Sequence, residues 1–214
     1  MAGNHGTRFA AADVLRMFPT FVWKAELKPE VHQGINRKLV RTLDRMRRSL
    51  PELAPGQAWQ SDRALHKLGD FGEMVSCVDD AVTRVLEFLK IGCDAFEITG
   101  CWANIGATGA AHGMHSHPNN FLSGVYYVRT HAGADTINFH DPRSQTGIIR
   151  PPVTELTAEN ADQVVVKVKN GTLLVFPAWL PHSVDANSAD RARISIGFNI
   201  MFSSYAENMG KPLW

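Results

Sequence analysis

The sequence has few cysteines and almost no net charge. The 214 residues include three cysteines, Cys77, Cys93 and Cys101, without a CxxC pair. An odd number at irregular spacing argues against a disulfide framework and favours a reducing compartment, and we expect all three side chains to be buried. The formal charge of +1 gives no electrostatic reason to expect nucleic acid or an anionic membrane as a partner.

Segments that would direct the chain to a membrane or divide it into domains are also lacking. No apolar stretch reaches the ~18 residues of a membrane span, and the N-terminus lacks the apolar core of a secretory signal. No linker rich in proline, glycine or serine interrupts a chain that is 44% hydrophobic, so one core is expected. We therefore predict one cytoplasmic domain, residues 1–214, with mostly helical support in residues 1–95 and a β-rich core in residues 96–204.

The hydrophobic period changes between the two halves of the chain. From Pro29 to Leu50, and from about Asp70 to Lys90, apolar residues recur every three or four positions, which predicts two amphipathic helices. Later segments are short, rich in β-branched and aromatic residues and separated by turn residues, which predicts strands at 96–104, 121–129, 135–140, 163–169, 172–177 and 193–202. This pattern favours a mainly β fold, a double-stranded β-helix or jelly roll, with the helices packed on one outer sheet face.

The last predicted strand indicates which of its side chains face the interior. Strand alternation separates Ile194 and Ile196 from Arg193, Ser195 and Asn199. If the helices cover the isoleucine side, the polar side points into the sandwich. Because a buried arginine requires a carboxylate or a bound anion, this strand predicts an anion inside the barrel.

Three of the nine histidines fall within the segment HGMHSHPNN. His115 and His117 project to the same face if this segment is extended, and there two imidazoles can bind one metal ion. His112 meets the pair only through a turn. A jelly roll can bring His182, from a late strand, opposite this pair and complete a three-point metal site that leaves other positions open. Close by, Arg193 and the serine two residues after it, which form an R-x-S motif, can together bind a carboxylate.

These motifs resemble a known family. The chain resembles the iron(II)- and 2-oxoglutarate-dependent oxygenase superfamily in four segments: HSHPNNFLSGVYYV, FHDPR, GTLLVFPAWLPHSV and RISIGFN. Within this superfamily it is similar to the group marked by HxHP, LSGVYY and RxS motifs and to the prolyl-hydroxylase-like members. The resemblance covers roughly residues 100–202. It implies a catalytic jelly roll that decarboxylates 2-oxoglutarate with dioxygen and hydroxylates a C–H bond of a peptide side chain or a small metabolite.

The resemblance also implies roles for individual residues. Three histidines become ligands of Fe(II): His115, His117 and His182. Four residues become binding residues for 2-oxoglutarate: Arg193 as the clamp of its far carboxylate, Ser195 beside it, Tyr127 against the same carboxylate, and Asn104, which can touch cosubstrate or substrate.

One position departs from the commonest superfamily pattern, which has aspartate or glutamate where this chain has His117. Either three histidines bind the metal, as in thiol dioxygenases, or a carboxylate arrives from elsewhere, with Asp141 as the candidate. We favour three histidines because an aspartate before proline is as easily a turn former. His112 remains a further candidate ligand and Arg191 a further candidate clamp.

A cupin-like metal protein without redox chemistry is the alternative function. It would be an isomerase or a carboxylate- or sugar-binding module that uses the same histidines. The partners we expect are dioxygen and a peptide or small-molecule substrate, without nucleic acid or membrane. Apolar residues in the C-terminal segment NMGKPLW predict a homodimer.

Overall fold

A computed structural model describes residues 10–93, 95–143, 148–157 and 159–208. Its helices are α1 (Pro29–Arg47), α2 (Gly72–Phe88) and α3 (Ser203–Asn208), and two 3-10 turns, Leu65–Lys67 and Gly69–Phe71, precede α2. The strands are β1 (Trp23–Glu26), β2 (Ala58–Gln60), β3 (Phe96–Gly106), β4 (His112–His115), β5 (Leu122–Arg129), β6 (Thr136–His140), β7 (Gln163–Lys167), β8 (Thr172–Pro177), β9 (His182–Val184) and β10 (Arg193–Phe202).

The strands form two antiparallel sheets that face each other. The larger sheet has the order β1-β8-β5-β10-β3-β2, and the smaller has the order β4-β9-β6-β7. Phe139 of the smaller sheet packs on Phe176 of the larger, with ring centroids 5.0 Å apart. Apolar side chains from both sheets fill part of the space between them: Tyr127, Ile137, Phe139, Leu174 and Phe176. The predicted mainly β architecture is confirmed.

Helix α1 has a sequence suited to both of its ends. Pro29 occupies its first turn, where the missing N–H would have no partner. Glu30 near the start and Arg45 and Arg47 in the last turn complement the helix dipole. The helix ends at Arg47 and not at Leu50 as predicted, because Pro51 disfavours helical backbone in the residue before it.

The larger core lies between the helices and the outer face of the larger sheet. Helices α1 and α2 bury one side of each, and β10 contributes Ile194, Ile196, Phe198 and Ile200 to the same cluster. Burial of each large aliphatic side chain stabilises the fold by about 1.5–3 kcal/mol. Arg193, Ser195 and Asn199 are buried on the opposite face, so the predicted orientation of this strand is confirmed.

The three cysteines differ in burial. All three cysteines are free thiols, but Cys93 is exposed and Cys77 is half-buried. The expectation that all three are buried is therefore wrong: Cys93 follows the end of α2 at Phe88 and lies at the surface, and Cys77 lies on α2 outside the set of residues that this helix buries. Within the part of the chain that the structure describes, every helix is too short or too polar to cross a lipid bilayer.

Gly124 provides a test of the packing between β5 and β8. A Cβ atom at this position would overlap the Phe198 ring and lie 2.5 Å from the Leu174 carbonyl oxygen. We expect Gly124→Ala to lower the free energy of unfolding by about 1–3 kcal/mol in urea denaturation. The control is Gly34→Ala in α1, where nothing lies within 4 Å of the added Cβ; it should raise stability by about 0.5–1 kcal/mol. Equal effects of both substitutions would contradict this packing.

Candidate active site

The three predicted ligand histidines lie together at one end of the smaller sheet. His115 ends β4 and His182 begins β9, and the two residues are direct partners in the antiparallel pair. His117 follows β4 by two residues, and its backbone N–H donates to the Ala178 carbonyl at 2.8 Å. One ring nitrogen from each histidine lies within 4.8 Å of the others. Among the described residues, no other group of three or more histidine, cysteine or acidic side chains meets this spacing.

Backbone carbonyls orient two of the imidazoles. His115 Nδ1 lies 2.8 Å from the Gly113 carbonyl oxygen, and His182 Nδ1 lies 3.0 Å from the Leu180 carbonyl oxygen. In each pair Nδ1–H donates, which leaves the Nε2 lone pair for a metal. The Nε2 atoms of His117 and His182 are 3.3 Å apart, close to the ~3 Å separation of adjacent ligands that bind one metal at about 2.1 Å. The donor set fits a divalent transition metal.

Burial differs across the group and keeps two imidazoles neutral. His182 is only 3% exposed and packs against Phe176, with ring centroids 4.8 Å apart, whereas His115 is exposed. Burial, with a smaller contribution from neighbouring imidazoles, lowers the pKa of His117 and of His182 to about 4. The imidazoles of His117 and His182 are therefore unprotonated at neutral pH and can bind a cation. The group is open to solvent at His115.

The four predicted 2-oxoglutarate-binding residues share the inner face of the larger sheet. Ser195 of β10 pairs with Asn104 of β3 and with Tyr127 of β5, so these three stand in one row across the strands. Arg193 lies two residues earlier on the same face. Asn104 Oδ1 accepts a hydrogen bond from Gln60 Nε2 at 3.0 Å.

Arg193 is buried without an acidic partner. Its exposed fraction is 5%, and burial lowers the pKa of its guanidinium. Within the described residues it forms no ion pair with a carboxylate. Tyr127 lies near this guanidinium, and burial raises the pKa of its hydroxyl. Because an uncompensated buried charge is strongly destabilising, this position is suited to an anionic ligand.

The lower-ranked candidates lie elsewhere. His112 is half-buried in β4, outside the three-histidine group, and its pKa is lowered first by burial and then by the charge of Arg193. Asp141 is also outside the group, and Arg143 Nε donates to its Oδ1 at 2.9 Å. Arg191 is at the surface, with 71% of its side chain exposed and its Nε 3.7 Å from Asp190 Oδ1.

Sequence reasoning missed one contact beside the histidines. The ring of Trp102 lies 5.6 Å from the ring of His117, and the Arg63 guanidinium carbon lies 5.2 Å above the same indole. Gly197 in the RISIGFN strand could have indicated this position of the indole, since a glycine that faces inward leaves room for a large side chain on the neighbouring strand.

The structure therefore combines a jelly roll, a three-histidine group with the spacing of metal ligands, and a buried arginine that has no carboxylate partner among the described residues. The model of a family described as "Putative 2OG-Fe(II) oxygenase" matches residues 100–199, a range that contains all three histidines, Arg193, Ser195, Tyr127 and Asn104. This match agrees with the superfamily predicted from the sequence motifs, and the cupin-like alternative is not favoured. None of the curated proteins compared with the chain matches it.

Solved structures of this class share the fold at low sequence identity. A Pseudomonas putida prolyl-4-hydroxylase has 16% identity and a TM-score of 0.54, covering 86% of this chain and 93% of its own. A Trichoplax adhaerens prolyl hydroxylase in complex with a hypoxia inducible factor peptide fragment has 13% identity and a TM-score of 0.59, with coverage of 89% and 87%. HygX from Streptomyces hygroscopicus, with nickel and 2-oxoglutarate bound, has 10% identity and a TM-score of 0.58, with coverage of 86% and 83%. These likenesses establish the fold.

The low histidine pKa values predict how stability depends on pH in the metal-free protein. An unfolded histidine takes up a proton near its ordinary pKa of 6.5, whereas folded His182 does so only near pH 4. The unfolded state therefore binds more protons between these values, and stability should fall as the pH is lowered from about 6.5 to about 4. Urea midpoints of chelator-treated protein measure this, and His182→Asn should flatten the dependence. The same slope in the variant would contradict a buried, neutral His182.

Proposed function

We propose that this protein is an iron(II)- and 2-oxoglutarate-dependent dioxygenase that hydroxylates a C–H bond of a peptide side chain or a small metabolite. One observation carries the proposal: a cluster of three imidazoles and a buried arginine without a carboxylate partner among the described residues belong to the same sandwich. A metal ion would bind to the imidazoles, and a dicarboxylate cosubstrate would neutralise the arginine. The match to the oxygenase family supports this pairing.

The metal would be held by His115, His117 and His182 through their Nε2 atoms. Iron(II), when bound, supplies the redox chemistry that couples dioxygen and 2-oxoglutarate to oxidation of the substrate. Three neutral imidazoles leave the +2 charge of the ion uncompensated, so an anionic cosubstrate is favoured at the remaining positions. The carbonyls of Gly113 and Leu180 hold two of the rings in the orientation that this requires.

The cosubstrate would extend along the inner face of the larger sheet. Arg193 binds its far carboxylate by charge-assisted hydrogen bonds, and the hydroxyls of Ser195 and Tyr127 add further bonds. Buried Leu174 and Phe176 exclude water from this part of the sandwich, which strengthens the ion pair. Asn104 stands beside Ser195 in the row and orients the same ligand.

We also propose the wider setting. Residues 1–95 serve as the helical support and residues 96–204 as the catalytic core of one domain, which is supported by the packing of α1 and α2 on the outer sheet face. The free thiols of all three cysteines support a cytoplasmic location. Dioxygen is the second cosubstrate, and nucleic acid and membranes are not partners. The C-terminal segment on which a homodimer was predicted extends outside the described residues.

Substitution of Arg193 tests the cosubstrate site. We expect Arg193→Ala to keep the metal but to weaken 2-oxoglutarate binding by about 2–5 kcal/mol, at least ~30-fold in Kd, because it removes a buried charge pair. Calorimetric titration of the manganese(II) protein with 2-oxoglutarate measures the change. Arg191→Ala, at an exposed arginine two residues away, is the matched control and should leave the Kd unaltered. Equal affinity in the wild type and Arg193→Ala would refute the clamp.

A second pair of variants tests the unusual third ligand. His117→Asp should keep one iron(II) per chain, because a carboxylate at this position matches the commonest superfamily pattern, whereas His117→Ala should lose at least ~10-fold in metal affinity. Metal analysis after dialysis against graded chelator distinguishes the two. If both variants retained metal like the wild type, His117 would not be a ligand.

A further inference from the structure

A second arginine lies on the other flank of the histidine group from Arg193. The guanidinium of Arg63 covers Trp102, and Trp102 lies beside His117. Arg193, in contrast, pairs with Gly106 of β3, four residues beyond Trp102. The two arginines therefore approach the centre from different sides.

The Trp102 ring is seated by its neighbours on the sheet. Gly197 of β10 is its partner across the strands, and a Cβ on that glycine would lie 2.8 Å from the indole. Trp102 is 5% exposed. Positions 193 and 197 share the inner face of β10 and are roughly 13 Å apart along the strand, so this platform is well separated from the Arg193 clamp.

The backbone of Arg63 is held in place along β3. Its carbonyl accepts a hydrogen bond from the Cys101 N–H at 2.8 Å, and the Ser61 N–H donates to the Ala103 carbonyl at 3.0 Å. The Ala103 N–H in turn donates to Ser61 Oγ at 3.0 Å. The loop is therefore bonded to β3 on both sides of Trp102. Arg63 is exposed, and within the described ranges its guanidinium contacts the indole and forms no ion pair.

Asn199 adds an unpaired polar atom on the same inner face. It lies two residues beyond Gly197 in β10, and the residue is 6% exposed. Its Oδ1 is buried and has no hydrogen-bond partner among the described residues. Buried polar atoms are nearly always paired in folded proteins, so this oxygen is suited to accept a hydrogen bond from a bound molecule.

We propose that Arg63, seated on Trp102, determines substrate specificity by binding an oxyanion of the substrate, a carboxylate or a phosphate, while Asn199 accepts a hydrogen bond from the same molecule. The inference rests on the proposed function. Arg193 then holds the cosubstrate, and Arg63 holds the substrate from the opposite flank. The substrate class is a small molecule or peptide end that carries a negative charge close to the oxidised carbon.

Competitive retention of defined probes tests this specificity. Protein with iron(II) and 2-oxoglutarate is dialysed anaerobically against equimolar N-acetyl-amino acids, their uncharged amides and N-acetyl-O-phosphoserine, and the retained compounds are quantified by mass spectrometry. We expect the anionic probes to be retained over the amides, and the comparison of acids with the phosphate identifies the oxyanion. Arg63→Gln should reduce this preference about tenfold or more, and Arg63→Lys should retain part of it.

A matched control and a separate readout distinguish the possible failures. Arg41→Gln changes another exposed arginine without an ion pair in the described ranges, on α1, and should leave the preference intact. Absence of any anionic preference in the wild type, or the same preference in Arg63→Gln, overturns the inference. Retention of 2-oxoglutarate by the same samples without probes reports on the proposed function alone, so its failure is seen independently of Arg63.

Discussion

A guanidinium that is buried without a carboxylate partner is costly to a fold, and Arg193 is such a group within the described part of this chain. The sandwich tolerates it only where an anion can reach it. Tyr127, Ser195 and Asn104 lie next to it on the inner face of the larger sheet and carry hydroxyl and amide groups but no carboxylate. The positive charge on this face is therefore concentrated at Arg193. This positive charge and the three imidazoles at the edge of the smaller sheet are together complementary to a dicarboxylate that also binds a metal ion.

The outer layer makes this interior possible. Because α1 and α2 cover the isoleucine and phenylalanine side of β10, the main hydrophobic core lies outside the sandwich. The inner face can therefore carry Arg193, Ser195 and Asn199 without loss of the packing that stabilises the domain. The candidate site and the core therefore use opposite faces of the same strand, which separates the candidate binding residues from the stabilising ones.

Much of this arrangement could be predicted from the sequence, because side chains along a strand alternate between the two faces of the sheet and this alternation is visible in the order of residues. The alternation in β10 gave the orientation of Arg193, and the order of motifs gave the histidine group. Strands β1, β2, β4 and β9 were not predicted, since each has only three or four residues and is too short to show alternation. The contact of Arg63 with Trp102 depends on a loop that folds back along β3, and local sequence does not encode that approach.

The measurement that tests the central claim most directly is an anaerobic titration of the purified protein with iron(II) and then with 2-oxoglutarate. A keto acid chelated to iron(II) gives a visible metal-to-ligand charge-transfer band. We expect the band to appear in the wild type at one equivalent of each and to be absent in His182→Ala. Iron demonstrably bound without a band on addition of 2-oxoglutarate would contradict an oxygenase site and would favour a metal centre without redox function.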